Sequence, residues 1–502
     1  MLNRKRTLVT VLTFICLGVI CGSAFAFDFS SVEDKITEFT LDNGMKFIVM
    51  EDHSAPVISF VLQANVGGSD DPKDAMGLSH FWEHMAFKGT SEIGTKDIKK
   101  ERKALKKLDA VYAELRLEQD KGIKADSVKL QTLEESFEAA KEEAESFVEI
   151  AEFSLIVEQE GGVGLNAGTG YDNTTYYYSF PSNRLELWFY LESSRFSDPV
   201  FRQFYKERDV IQEERRMGVE SSPTGRMVDE FLHAAFRAHP YGLALIGEMS
   251  EIKKYTKEDM LAHYQKYYVA SNLVAAIVGD VDPKEAEKFA KKYFGKLPKK
   301  DKPKNLIIVD PVQKATRRVV IPEKSQPMLL MGFQRPAGTH PDDVVYDAIA
   351  DYLGQGRTSL LYKNLVNEQK IATNAMAFAS FPGSKYACQF GIYVIPAKDI
   401  TAAECETGVL AQIDQLLNEP IPAEELENIK ARAKANLINS LASRNGMANN
   451  LVGYQTLYGD WRGLFKSLDE VNAVTAEDIQ RVAKEMFVNT RMTVASIETI
   501  EE

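Results

Sequence analysis

Two imidazoles and a carboxylate fall at helical spacing in Gly77-Leu78-Ser79-His80-Phe81-Trp82-Glu83-His84-Met85-Ala86-Phe87. As a helix, this stretch puts His80 and His84 one turn apart on one face, with Glu83 projecting toward the same edge. Two neutral imidazoles can hold one zinc ion per chain and leave room for a third protein ligand and a water. Glu83 is placed to take that water's proton. The order His-x-x-Glu-His inverts the His-Glu-x-x-His zinc pattern. The plainer alternative is a pair of structural histidines. Against it, the chain has only seven histidines in 502 residues, so the whole pattern rarely arises by chance. Leu78, Phe81, Trp82, Met85 and Phe87 also make the helix apolar, and polar groups on it need partners that a metal would supply.

A third donor has to come from elsewhere in the chain. A helix predicted from Val200 to about Val219, after Asp198-Pro199, offers Glu207 and Glu214 two turns apart on one face. Either could complete the set with an anionic oxygen. Glu213 and Glu220 sit in the same segment, and solvated carboxylates are the ordinary state of such a helix.

The segments that must position these groups are strand-like on the N-terminal side. Thr37 to Leu41 and Met45 to Val49 flank Asp42-Asn43-Gly44, a hairpin signal, and Val57 to Gln63 reads as a further strand leading to Gly67-Gly68. From about Asp97 to Ile150 the chain is rich in Lys, Glu, Ala and Leu. Apolar residues recur at helical intervals on both sides of Lys121-Gly122, as in Leu105, Leu108, Tyr112, then Leu133, Phe137, Ala140. This predicts a two-helix hairpin with Ser127 as an N-cap. It is either a partner-binding arm or a solvated, self-packed insertion. Val163 to Thr169 and Thr174 to Phe180 then read as paired strands, followed by a helix from Leu185 to Arg195.

Residues 1–26 have the layout of a signal peptide: basic Arg4-Lys5-Arg6, an apolar run from Leu8 to Gly22, and Ala24-Phe25-Ala26 for cleavage. That implies export, to a periplasm or to the cell exterior. No later stretch is long and apolar enough for a stable membrane span. Outside the signal only Cys388 and Cys405 remain, too few for a disulfide framework, though they could pair with each other in an oxidising compartment. A 44% hydrophobic content belongs to a globular protein, and a net charge of −13 speaks against a nucleic-acid partner.

The chain also repeats itself. Tyr255-Thr256-Lys257-Glu258-Asp259 opens a helix leading to Tyr268-Val269 and a strand from Val274 to Val278. At one ungapped offset, Val474-Thr475-Ala476-Glu477-Asp478 opens another, leading to Phe487-Val488 and a strand from Thr493 to Ile497. Each alone is a helix start. Together they predict duplicated α+β domains, at 27–298 and 311–502, joined by a polar linker at 299–310. The second copy has no metal motif. Its Leu353-Gly354-Gln355-Gly356-Arg357-Thr358-Ser359-Leu360 matches no phosphate loop and predicts a glycine-rich turn and helix start.

His80-Phe81-Trp82-Glu83-His84, followed by Glu207-Arg208-Asp209-Val210-Ile211-Gln212-Glu213-Glu214, resembles the pitrilysin family of inverzincin zinc peptidases, which includes insulin-degrading enzyme and mitochondrial processing peptidase. The resemblance implies two homologous α+β domains forming a clamshell, with the charged helical hairpin at 97–150 inserted in the first. It implies His80, His84 and Glu214 as zinc ligands, Glu83 as general base and Glu207 in support, the family's spacing after Glu207 selecting Glu214 over Glu213. Asn166-Ala167-Gly168-Thr169 resembles the edge strand that receives substrate peptide by strand addition; the ordinary alternative is a turn-flanking asparagine. Active members often carry an arginine and a tyrosine in the second domain that bind substrate. Here the matching positions hold Val366 and Thr373, while Arg444 and Tyr454 lie at a different spacing. The resemblance therefore implies an exported zinc metalloendopeptidase acting on peptides or unfolded polypeptides. It would work with a homologous partner subunit supplying the arginine and tyrosine, or as a homodimer. The alternative is a non-catalytic zinc-binding or scaffold homologue of the same fold.

Overall fold

A computed structural model describes residues 32–500; the signal peptide expected at 1–26 lies outside the described residues. The first domain begins with a hairpin of β1 (Ile36–Thr40) and β2 (Lys46–Glu51), then β3 (Val57–Ala64) and helix α1 (Leu78–Met85). Two long helices follow, α2 (Ile98–Gln119) and α3 (Ser127–Glu145), then α4 (Glu152–Gln159), strands β4 (Val163–Thr169) and β5 (Thr174–Pro181), and α5 (Leu185–Ser197). Helices α6 (Phe204–Arg215), α7 (Pro223–Ala235) and α8 (Lys257–Tyr267), strand β6 (Leu273–Gly279) and helix α9 (Pro283–Tyr293) complete it.

The first sheet has the order β1-β2-β6-β3-β5-β4, so β4 is an edge strand paired on one side only. Its β2–β6 pair is parallel and its other pairs are antiparallel. Residues 298–316 carry no helix or strand and lead to the second domain. There β7 (Arg317–Glu323), β8 (Met328–Arg335), α10 (Asp343–Gly354), β9 (Ala372–Phe381), β10 (Cys388–Pro396), α11 (Ala402–Asn418), α12 (Ala423–Leu441), α13 (Arg444–Tyr458), α14 (Gly463–Ala473), α15 (Ala476–Met486) and β11 (Met492–Thr499) follow in turn. Its sheet runs β7-β11-β8-β10-β9, again with one parallel pair, β7–β11. Strand for strand it repeats β2-β6-β3-β5-β4. The duplicated helix starts are equivalent in detail: Thr256 and Thr475 each cap a helix reciprocally with Asp259 and Asp478.

Each sheet buries one face against its own helices, through cores that include Phe60, Trp82 and Trp188 in the first domain and Leu329, Ile349 and Phe390 in the second. The opposite faces are covered by exchange. Met227, Phe231 and Leu232 of α7 pack on Met328, Leu330, Ala495 and Ile497 of the second sheet. Met447, Leu451 and Val452 of α13 pack on Ile48, Val61, Ala276 and Val278 of the first. The exchange buries apolar area from both domains at once, which locks them into one clamshell.

Two local expectations need correction. The N-cap of α3 is Asp126, whose carboxylate accepts from Val128 N and Lys129 N, because an aspartate one residue upstream of Ser127 reaches the same orphan donors. Helix α6 starts at Phe204 rather than Val200, after Gln203 in a left-handed conformation (φ 58°). It ends at Arg215 and widens into a π-helical turn over Arg216–Glu220. Cys388 and Cys405 are free, buried thiols; they lie on β10 and α11.

Candidate metal centre

Helix α1 divides its residues by chemistry. Leu78, Phe81, Trp82 and Met85 are buried in the first core, which leaves His80, Glu83 and His84 on the face toward β4 and α6. The helix begins sharply at Gly77, in a left-handed conformation (φ 95°) where an added Cβ would collide with the Ile246 carbonyl. Buried Asp71 accepts from Gly77 N at 2.8 Å, Ser79 N at 3.0 Å and Ser79 Oγ at 2.7 Å, so a carboxylate holds the orphan donors of the helix start.

His80 Nε2 lies 3.8 Å and His84 Nε2 3.7 Å from Glu214 Oε2. One donor atom from each residue falls within 4.8 Å of the other two. A tetrahedral zinc with ligands at ~2.1 Å separates its donors by about 3.4 Å, so this spacing fits after small adjustments. The donor set fits as well: two imidazoles and one carboxylate suit zinc. Burial pushes His80 down to about 4, which keeps it in the neutral, ligating form. His84 is also pulled down by burial, but its hydrogen bond with Glu207 and the charges of Glu214, Glu207 and Glu83 outweigh that and raise it.

Glu207 sits two turns before Glu214 on α6 and meets the other side of His84. Its Oε2 lies 3.2 Å from His84 Nδ1, and Lys88 Nζ donates to its Oε1. Burial tends to raise Glu207, and the hydrogen bonds from His84 and Lys88 reverse that, so it stays ionised. An acceptor at Nδ1 places that ring's proton there and leaves Nε2 with its lone pair toward Glu214. Glu213 turns away and takes a hydrogen bond from Arg216 Nε at 2.8 Å.

Glu83 is engaged from β4. Thr169 Oγ1 donates to Glu83 Oε2 at 2.7 Å. Burial raises the Glu83 carboxyl above the ordinary glutamate range, with the Thr169 bond opposing. Asn166, Ala167, Gly168 and Thr169 pair with β5 on one side, at Tyr177, Tyr176, Thr175 and Thr174. Ala167, Gly168 and Thr169 also border a cavity of about 750 Å³ that touches His80, Glu83 and Glu214, whereas Asn166 does not line it.

That cavity contains groups the sequence did not announce. Tyr171, Val228, Leu232, Leu245 and Phe381 line it, the last from β9 of the second domain. A tyrosine two residues after Thr169 was the one available signal. No arginine or lysine lines it. Arg444 pairs instead with Asp52 at 2.8 Å, Val366 packs on the second core, and Thr373 Oγ1 donates to Ile395 O at 3.3 Å.

The hairpin stands behind α6. Its base is pinned by a bridge between Thr95 and Val148. Tyr112 packs against Tyr205 of α6 with centroids 4.4 Å apart and the rings tilted by 43°, and buried Arg202 donates to Glu101 Oε1 at 2.7 Å. The long insertion thus supports the back of the helix whose front carries Glu207 and Glu214.

Against known proteins, residues 46–111 and 143–249 match the domain family described as Insulinase (Peptidase family M16), and residues 254–433 match the one described as Peptidase M16 inactive domain. The chain belongs to peptidase family M16. Residues 112–142, the stretch left out of the first match, lie inside the α2–α3 hairpin. The M16 relatives include the zinc protease PqqE of Helicobacter pylori, 25% identical over 91% of this chain and 92% of that one. A probable mitochondrial-processing peptidase subunit beta of Arabidopsis thaliana is 23% identical over 94% of this chain and 80% of its own length. Among solved structures, a protease from Helicobacter pylori superposes with a TM-score of 0.76 at 25% identity, covering 92% of this chain and 99% of that chain. A Pseudomonas fluorescens structure described as a peptidase M16 inactive domain has the same fold, with a TM-score of 0.74 at 16% identity over 93% and 98% of the two chains.

Proposed function

We propose that this M16 chain is an exported zinc metallopeptidase that hydrolyses peptides or unfolded polypeptides. The observation that carries the reading is the convergence of His80, His84 and Glu214 within 4.8 Å, beside a buried Glu83 that is tied to the edge strand β4. In this reading His80, His84 and Glu214 hold the metal, Glu207 orients His84, and residues 27–298 and 311–502 are the two domains around a linker at 299–310. Zinc bound there acidifies a water and polarises a carbonyl.

The protein's own groups then have defined tasks. The unpaired side of β4 adds an extended peptide as a further strand, which sets its register over the site. Ala167 and Gly168 keep that approach open. Glu83 takes the proton of the attacking water and returns it to the leaving amine. Thr169 holds one carboxylate oxygen of Glu83, so the other is free to meet the water. The raised Glu83 carboxyl suits a base that must also act as an acid.

The absence of an arginine or lysine from the cavity lining favours a second element of the reading. A homologous partner chain supplies the cationic and phenolic groups that stabilise the developing oxyanion, the alternative being a homodimer without them. Among the described residues no helix is long and apolar enough to cross a membrane, and the leader at 1–26 directs the chain to a periplasm or outside the cell. A non-catalytic zinc-binding homologue is the competing reading. The deciding experiment is cleavage of a mixed peptide library by wild type and Glu83→Gln, with zinc measured on both. Zinc in both and cleavage by wild type alone, with turnover down by about 10²–10⁴ in the variant, is the expected result. Equal cleavage by both would remove Glu83 from the mechanism, and cleavage by neither would favour a missing partner subunit or the competing reading.

A further inference from the structure

The turn between β4 and β5, Gly170 to Asn173, joins the two domains. Its first-domain side is held by Gly68 N donating to Gly170 O at 3.0 Å and Ser69 N donating to Tyr171 O at 2.9 Å. Its other side is held by a single carboxylate. Asp172 Oδ2 accepts from Ser384 N at 2.8 Å and Lys385 N at 3.0 Å, both in the β9–β10 connection of the second domain. Tyr241 Oη donates to Asp172 Oδ1. The fit is close: a Cβ at Gly383 would stand 2.5 Å from Asp172 Oδ2 and 2.6 Å from Tyr241 Oη. The turn leads back into Thr169 and Gly168, while the β9–β10 connection follows Phe381, and these residues line one cavity from the two domains.

We propose that Asp172 is a positioning residue that sets the width and register of the peptide cleft by tying the β4 wall to the Phe381 wall. The inference rests on β4 being the peptide-binding edge. Three donors on one carboxylate, two of them main-chain, fix its direction as well as its distance, and the strands on either side inherit that constraint. Loosening it lets β4 drift against Phe381, so an extended chain meets a cleft of variable width and loses affinity. Zinc binding is untouched, because His80, His84 and Glu214 lie on α1 and α6.

The test uses the full mature chain carrying Glu83→Gln, so that binding is read without turnover. The probe is fluorescein-labelled β-casein, an unfolded polypeptide. Adding Asp172→Asn should weaken its Kd about tenfold, the scale of one charge-assisted hydrogen bond network loosened. Gly383→Ala, which crowds the same carboxylate from the other domain, should weaken it in the same direction, and Tyr241→Phe by less. Bound zinc should be unchanged in all three. Thermal melting is followed in parallel: a purely structural role would lower Tm while leaving Kd, measured well below Tm, at its starting value, and that result overturns the proposal. Casein that fails to bind the Glu83→Gln protein overturns both this inference and the edge-strand reading. Casein that binds but is not cleaved with Glu83 restored leaves this inference standing and overturns only the reading of this chain as a peptidase that acts without a partner.

Discussion

The two domains share a strand order and a set of helices, yet among the described residues only the first groups donors that could hold a metal. In the first, α1 and α6 bring His80, His84 and Glu214 together beside a cavity of about 750 Å³. In the second, the counterparts α10 and α12 bring Asp351 and Arg432 together, Nε to Oδ1 at 3.0 Å, beside a cavity of about 250 Å³ lined by Ala348, Phe378, Leu426 and Ile429. A carboxylate that carries its own guanidinium is already neutralised, whereas two imidazoles facing a carboxylate form a donor set that suits a metal. The same backbone therefore carries a candidate metal site or a self-neutralised pair according to a few side chains on two helices. The exchange of α7 and α13 between the sheets shows why the second copy is kept: it covers the first sheet and supplies Phe381 to the cleft.

The contrast can be broken most severely at Glu214. Glu214→Ala removes the anionic donor that α12 lacks, and zinc affinity should fall by more than the ~100-fold typical of losing a supporting group. Metal analysis after dialysis against a chelator checks it; full occupancy would take Glu214 out of the ligand set. Glu207→Gln keeps the three donors and alters the partner shared by His84 Nδ1 and Lys88. It should cost about 10–100-fold in zinc affinity or activity, and a chelator competition titration measures it.

Thr169→Val sharpens the comparison at the base. Burial raises Glu83, and the Thr169 hydroxyl opposes that. Glu83 works as base when deprotonated, so activity is present above its pKa and is lost as pH falls through it. Removing the hydroxyl raises that pKa further, and the acid limb of kcat/KM should move to higher pH by about one unit. A limb that stays in place or moves down would detach Thr169 from Glu83. The smallest effect on function belongs to the second domain. Arg432→Met leaves Asp351 half-buried without its partner and should lower stability by about 1–3 kcal/mol, read by denaturant unfolding, with zinc content unchanged.

How much could be read before the fold was known depended on range. The helix carrying His80, Glu83 and His84 follows from spacing alone, because side chains three and four apart share a helix face wherever the helix sits. The repeated Thr-x-Glu-Asp starts are equally local, and the capping boxes at Thr256 and Thr475 follow from them. The choice between Glu207 and Glu214 is different. Both lie on one face of α6, and their roles depend on how that helix crosses α1, more than 120 residues away in the chain, with His84 Nδ1 meeting Glu207 and Nε2 meeting Glu214. The start of α6 and the cap of α3 were misplaced by one to four residues because several polar residues near each boundary could end the helix equally well.

Residue types and short spacings by themselves determined the helix that carries His80, Glu83 and His84, the duplication, and the composition of a large apolar core. Tertiary structure alone decided that β4 is an edge, that Thr169 reaches Glu83, that α7 and α13 change places, and that Asp172 joins the cleft's two walls. Local hydrogen bonds and side-chain periodicity act within a turn or two of chain, so they are written in neighbouring residues. Edges, crossings and clasps are made when distant apolar surfaces are buried together, and that burial is shared among so many residues that no single stretch encodes its outcome.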